Sequence, residues 1–400
     1  MNTENKRLKI ALLTPNTLQD KKRSSWGATV DRIAHVLQKY CGDVYFIPLP
    51  ISHKKTLGKI MHKLIRLLLK KNYLYNHTFS LARAYAKAIN PRLAEQSYDV
   101  IIAPSGGTEI AFLETDTPII LIEDANFALL QNYYAEYSNL LKRSAYETNA
   151  LEELAIKKAS LVLHPSERAV RASIQRYHAG EQKVRAVPFG ANFDKTPPIE
   201  IVQRKKRSDR CRLLFVGVDW QRKGGAIAFE TLLALEEIGI EAELIICGCI
   251  PPVRFSHQRL IVIPYLSKSD EKQRREFENL FETADFFFLP TRSECYGMVF
   301  CEASAYGLPI ITTNTGGVSG AVRDGENGFM LPPSAGGADY AELIATIYRD
   351  EQQYAELVRS TRAAFDERLN WDAWGMSVTR LITEVLERKN SDYAASNSPV

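Results

Sequence analysis

Short apolar runs alternate with helical patterns along nearly the whole chain, and the alternation is written twice. RLKIALLT, DVYFIPL, YDVIIAPS, TPIILIED, SLVLHPS and KVRAVPFG form the first series. CRLLFVGV, EAELIICG, RLIVIP, ADFFFLP and LPIITTN form the second, separated by helices such as AIAFETLLALEEIG. Apolar runs of this length are strands, and intervening helices are what a parallel sheet needs for its crossovers. The class is therefore α/β, with two similar, doubly wound parallel-sheet domains in tandem. Ligands of such sheets bind beyond the carboxyl ends of the strands. The two sheets are thus expected to face a common cleft, with polar strand-end residues along it.

Four hundred residues exceed one ordinary core and suit two domains of roughly 150–200 residues. The alternation lapses in DKTPPIEIVQRKKRSD, rich in Pro and charge, and this marks the boundary. The expected organisation is a first domain over 1–195, a linker over 196–210 and a second domain over 211–370. A closing helix over 371–389 is expected to pack back on the first domain, and NSDYAASNSPV over 390–400 reads as a disordered tail. MNTENKRLKIALLTPN has only a short apolar run before Pro15, so it reads as a first strand and not as a signal peptide. No apolar run approaches the roughly 20 residues that span a bilayer. The six cysteines lack zinc-type or disulfide-framework spacing, which suits a reducing cytoplasm. A net charge of +4 argues for no nucleic-acid partner.

Two stretches of the second domain carry chemistry. After LLFVGV comes DWQRKGG, which sets Arg222 and Lys223 beside Gly224 and Gly225 where a helix begins. Unpaired N–H groups, a partial positive charge and two cations suit a diphosphate, although a solvated basic turn would read the same. The loop fits neither GxxxxGK[ST] nor GxGxxG, which sets aside P-loop and dinucleotide enzymes. Further on, SECYGMVFCE leaves the strand DFFFLPT and places Glu294 and Glu302 around Tyr296 and Gly297. Were the stretch all helix, the two carboxylates would be ~12 Å apart along its axis, too far to share a proton. That distance suits the two ends of one extended ligand; the plainer reading is a salt-bridged Glu302 and an exposed Glu294. Gly316 and Gly317 follow the next strand at the same edge. No metal-ligand cluster is visible.

In combination these segments resemble the retaining nucleotide-sugar glycosyltransferases of the GT-B fold, family 4 type, also called glycosyl transferases group 1. The resemblance rests on Glu294-CYGMVFC-Glu302, on Arg222 and Lys223 after the first strand of the second domain, on VPFGANFD and on NWDAWG, across residues 8–388. It implies two Rossmann-like domains and transfer of a sugar from a nucleoside diphosphate to a hydroxyl acceptor. Arg222 and Lys223 would then neutralise the donor diphosphate, Glu294 would accept hydrogen bonds from the donor sugar and Glu302 from the ribose. Backbone N–H groups of Tyr296, Gly297, Met298 and Val299 would face sugar and phosphates. Gly27, in SSWGAT, matches the family's phosphate-approaching glycine loop, and the segment Ile263 to Lys268 would meet the base. Neither cofactor nor metal is implied, since cations replace the metal in this fold. Many relatives carry a histidine after the strand matched by TPIILIED, but this chain reads Glu123-Asp124-Ala125-Asn126. Asp124 is therefore either an acceptor-polarising or donor-contacting residue, or an N-cap of the next helix. His164 is read as a strand-end residue without a catalytic role, and Ser105 to Thr108 as a Gly loop on the acceptor side. The rival readings are a catalytically silent subunit of the same fold and a nucleotide-sugar epimerase.

Between Ile51 and Ala94 there is no acidic residue, while Lys54, Lys55, Lys59, Lys63, Arg66, Lys70 and Lys71 accumulate. Leu57, Ile60, Met61, Leu64, Ile65 and Leu68 recur among them at helical spacing. A basic amphipathic helix over 54–71 suits an anionic membrane surface and a lipid-linked or cell-envelope glycan acceptor, or simply a surface helix packed on its own domain.

Overall fold

A computed structural model describes residues 7–14, 25–49, 53–193 and 195–396. The chain divides into two compact units, one formed by residues up to Val187 together with those from Trp371 onward, the other by Pro188–Asn370.

The first unit holds strands β1 (Leu8–Thr14), β2 (Gly42–Pro48), β3 (Val100–Pro104), β4 (Ile119–Ile122), β5 (Leu161–His164) and β6 (Val184–Ala186). All pair in parallel, in the order β2-β1-β3-β4-β5-β6. VIIAP and IILI are buried along their whole length, which is why they show no alternation. Helices cover both faces, and Ala11, Leu13, Ile101, Leu121 and Val162 share one core. Strand order reverses between β1 and β3, where a doubly wound sheet opens a ligand crevice.

The final helix, Trp371–Ser396, belongs to this unit. It closes against the helix Ser25–Tyr40, where Lys39 Nζ lies 2.9 Å from Asp372 Oδ1. A side chain at Gly375 would come within 2.9 Å of the Tyr40 ring and 3.0 Å of Val36. The helix runs past Lys389 to Ser396, through the segment read as a tail from 390, which holds neither Gly nor Pro before Pro399. Residues 397–400 lie outside the described residues.

The second unit repeats the architecture with β7 (Cys211–Val216), β8 (Ala242–Cys247), β9 (Leu260–Ile263), β10 (Phe286–Leu289), β11 (Ile310–Thr313) and β12 (Gly328–Leu331). Their order is β12-β11-β10-β7-β8-β9, again all parallel. The strand β12 is absent from the sequence reading because GFML is a half-exposed edge without a long apolar run. The reversal of strand order now falls between β7 and β10, in register Phe286↔Leu213 and Phe287↔Leu214. This places the loops after those two strands side by side.

The boundary falls earlier than 195. Pro188 has no N–H to extend the β6 ladder, and the next carbonyl, of Phe189, accepts from Tyr296 Oη at 2.9 Å and from Cys301 Sγ at 3.3 Å, both in the second unit. Nor is 196–210 a free linker. It contains the helix Ile199–Arg204 with Val202 buried, and Lys205 Nζ donates to the carbonyls of Phe281 and Glu282.

Candidate active site

In the second unit the loop after β7 is anchored to the loop after β10. Asp219 Oδ1 accepts from the Arg222 amide at 3.0 Å and shapes the turn. The Arg222 carbonyl accepts from the Arg292 amide at 2.7 Å and from Thr291 Oγ1 at 3.2 Å. Its guanidinium reaches across, with Nη1 2.8 Å from the Ser293 carbonyl and 3.9 Å from Glu294 Oε2. Lys223 pairs directly with the same Glu294 carboxylate, and both are buried. Gly317, after β11, donates its amide to the Glu294 carbonyl at 3.1 Å. Arg222, Lys223, Glu294 and the Gly316–Gly317 loop thus meet at one sheet edge, at the crevice that the strand order creates.

Two glycines make the close approach. Gly224 has φ +80°, and a Cβ there would lie 1.9 Å from the Pro290 carbonyl oxygen. Gly297 has φ +85°, and its Cβ would lie 2.5 Å from the Phe300 ring. Each precedes a helix, Gly225–Glu237 and Met298–Ala305, whose first N–H groups have no acceptor within the helix. Only the last part of the Glu294–Glu302 stretch is helical, so the ~12 Å separation that a continuous helix would give does not apply.

Glu302 is 5% exposed and forms a second ion pair, with Lys268 Nζ at 2.8 Å. Lys268 also lies over the Phe277 ring, 4.5 Å from its centre. The plainer reading of E-x7-E is therefore half right: Glu302 is salt-bridged, but Glu294 is buried and paired instead of exposed. Gly297, Met298 and Val299 are half-buried, whereas the Tyr296 side chain is 2% exposed and spends its hydroxyl on Phe189. That ring is framework, and only its backbone remains for a ligand. The partnerships of Asp219, Ser293 and Lys268 were not visible in advance, since they depend on which loops the sheet order brings together.

In the first unit Gly27 lies in the first turn of the helix Ser25–Tyr40, not in a loop. Residues 15–24, the rest of the stretch before it, lie outside the described residues. Asp124 is not the N-cap of the following helix. Helix Phe127–Leu130 starts two residues later than that role requires, and Asn126 Oδ1 accepts from the Leu129 amide at 3.3 Å. Asn126 also donates to Ser173 Oγ at 3.1 Å, which is 2.8 Å from His164 Nε2. His164 Nδ1 lies 3.1 Å from the Glu123 carbonyl, which can only accept, so the proton sits on Nδ1. Burial pushes this histidine down to about 4, which keeps it neutral. His164 therefore braces the strand end.

Beside it lies a group of carboxyls missed in the sequence. Glu123 is 6% exposed and Glu109 8%. Burial pushes Glu109 up to about 7 and Glu152 also to about 7. Glu123 is held well above the carboxylate range, first by burial and then by Glu152. Glu123 Oε2 and Glu152 Oε1 have no hydrogen-bond partner among the described residues. Both carboxyls are thus held toward the protonated form, in which they do not repel one another.

Two parallel-sheet units with a cation–carboxylate cluster at the second sheet's switch point define the GT-B class. The whole chain has this fold. It superposes on the sucrose-phosphate synthase of Thermosynechococcus elongatus with a TM-score of 0.68 and 19% identity, over 96% of this chain and 100% of that one. It likewise superposes on Anabaena HepE in complex with UDP and glucose, with a TM-score of 0.63 and 16% identity, over 94% and 100%. Residues 198–364 match the family model described as glycosyl transferases group 1. Among curated proteins it is similar to a D-inositol 3-phosphate glycosyltransferase of Paenarthrobacter aurescens, 27% identical over 214 residues, half of this chain and 51% of that protein. The chain spans about half to three-fifths of the length of the curated relatives it matches.

Proposed function

We propose that the chain is a glycosyltransferase that moves a sugar from a nucleoside diphosphate to a hydroxyl acceptor with retention of configuration. The observation that carries this reading is the junction of Arg222, Lys223 and Glu294 on two loops stitched together at the sheet's switch point. Opposite charges held this close, and largely out of water, suit a ligand that carries an anionic leaving group beside a neutral, hydroxyl-rich sugar. Arg222 and Lys223 neutralise the diphosphate and the charge that grows on it, which is the task of a metal in other enzymes. We assign the chain no cofactor or metal for this reason. Glu294 accepts from sugar hydroxyls, Glu302 from the ribose, and the N–H groups at Gly297 to Val299 meet the phosphates. The segment Ile263 to Lys268 faces the base.

In the step itself the acceptor oxygen bonds to the anomeric carbon while the bond from that carbon to the phosphate oxygen breaks. The acceptor's proton passes to the departing phosphate on the same face, so no protein nucleophile is needed. We assign to Asp124 the role of polarising the acceptor hydroxyl or contacting the donor sugar. The acceptor is a glycan or a lipid-linked sugar, and the chain works in the cytoplasm at the inner face of a membrane, with residues 54–71 as its contact.

Calorimetric titration with UDP, GDP and ADP tests the donor site. One of them should bind, and Arg222→Ala should weaken it by about tenfold or more, as loss of a charge-assisted contact does. Glu302→Ala should weaken a nucleoside diphosphate but not pyrophosphate, which lacks ribose. If no nucleotide binds, the donor reading fails. If one binds but its sugar is never released or transferred, a silent subunit is the answer.

A further inference from the structure

The helix His53–Leu69 is attached to its unit by a narrow seam. Among its described side chains only Lys55, Gly58, His62 and Ile65 are half-buried, a 3-4-3 spacing that runs straight down one side. Gly58 lets the helix sit close, since a Cβ there would lie 2.7 Å from Tyr75 Cβ. His62 Nδ1 is 2.8 Å from the Tyr73 carbonyl, and its ring meets Tyr75 at 5.9 Å. At roughly 100° per residue the rest of the surface sorts into two stripes. Leu57, Ile60, Met61, Leu64, Leu67 and Leu68 lie together, turned away from the seam. Lys59, Lys63 and Arg66 lie between them and the seam's other flank.

A surface helix normally turns its apolar stripe inward. This one does the reverse: Leu57 is 65% exposed, Leu67 76% and Leu68 74%, with Ile60, Met61 and Leu64 about half exposed. Seven large apolar side chains, Leu69 included, stand in solvent on one helix. The six of the stripe make a contiguous patch of the kind that marks an interaction surface. Among the described residues, no helix is long and apolar enough to cross a membrane, so the stripe is not a span.

We propose that this helix lies in the surface of an anionic bilayer, its leucine stripe sunk among the acyl chains and its lysines among the headgroups. The charge selects this occupant. No acidic residue occurs from Ile51 to Ala94, so a second copy of the same face would meet like charge, whereas anionic headgroups complement it. The geometry selects burial over mere adsorption. An electrostatic patch needs only the lysines, while an interfacial helix needs an apolar stripe flanked by long cationic side chains that reach back to the headgroups. The inference deepens the reading of a lipid-linked acceptor and rests on it for its biological use, but its physics is independent of transfer.

Flotation with zwitterionic vesicles, and with vesicles that also contain an anionic phospholipid, tests it on the full chain. The protein should float with the anionic vesicles and stay below with the others. The triple variant Leu64→Gln, Leu67→Gln, Leu68→Gln changes only exposed positions and should lower vesicle binding by about tenfold or more. Lys59→Gln with Lys63→Gln and Arg66→Gln should do the same and remove the preference for anionic lipid. Both variants should keep the parent's nucleotide titration, which separates failure of docking from failure of the donor site. The proposal is overturned if the chain ignores anionic vesicles, or if the leucine variant floats as well as the parent. It is also overturned if the parent sediments as a dimer that the leucine variant dissolves, because a second copy then covers the stripe.

Discussion

At the scale of single residues, the sequence displays charges on loops better than charges inside. Arg222, Lys223 and Glu294 stand out because each follows an apolar strand, and Glu302 because it breaks the apolar run behind a glycine turn. Glu109 does not, since nothing in SGGTEIAF says that its carboxyl is 8% exposed. It carries a clear prediction. A carboxyl raised from 4.5 to about 7 stays protonated in the fold while the unfolded chain ionises. The unfolded state therefore binds fewer protons, and stability falls as pH rises from about 4.5 to about 7. Glu109→Gln removes this group, so unfolding in urea should show a gain of about 1–3 kcal/mol at pH 8 and almost none at pH 4. An equal gain at both pH values would mean that packing, not ionisation, separates the two proteins.

At the scale of elements, the strands were legible wherever burial on both faces removed alternation, and helix starts were legible wherever glycine preceded them. Boundaries that depend on tertiary partners were not. KVRAVPFG contributes only three residues to β6 because Phe189 is drawn to Tyr296 and Cys301. The closing helix outruns its expected end because no breaker stops it. Asn126, not Asp124, caps its helix because the helix starts later than the apolar pattern suggests. The turn between Glu294 and Glu302 shows how one element sets up the site. Gly297→Ala forces a left-handed backbone on a residue with a Cβ and presses that atom on Phe300, which is fully buried and meets Phe287 edge-on at 5.8 Å. It should cost about 1–3 kcal/mol in urea unfolding and, more tellingly, shift the helix Met298–Ala305 enough to weaken nucleotide binding. Stability lost with titration unchanged would detach this helix from the donor site.

For the whole molecule, tandem duplication was plain in the sequence, but the two sheets are not copies. The second runs β9-β8-β7-β10-β11-β12, and the first runs β2-β1-β3-β4-β5-β6, so the strand that flanks each crevice differs. Apolar runs alone do not encode that difference, because strand order depends on crossovers and not on strand composition. It does determine where each unit can bind. The proposed donor groups fall at the β7–β10 junction, inside Pro188–Asn370, while strand β1 and the helix Trp371–Ser396 belong to the other unit. Ligand linkage should therefore be local. A nucleoside diphosphate at 100 times its dissociation constant should stabilise the unit that binds it by about 2.7 kcal/mol. Hydrogen exchange should accordingly slow across β7, β10 and the loops that follow them, with Trp371–Ser396 unchanged. Protection confined to the first unit would place the nucleotide on the wrong sheet and undo the assignment of Arg222 and Lys223. Protection in the second unit that vanishes in Arg222→Ala would tie it to the Arg222 side chain, as the proposed diphosphate contact requires.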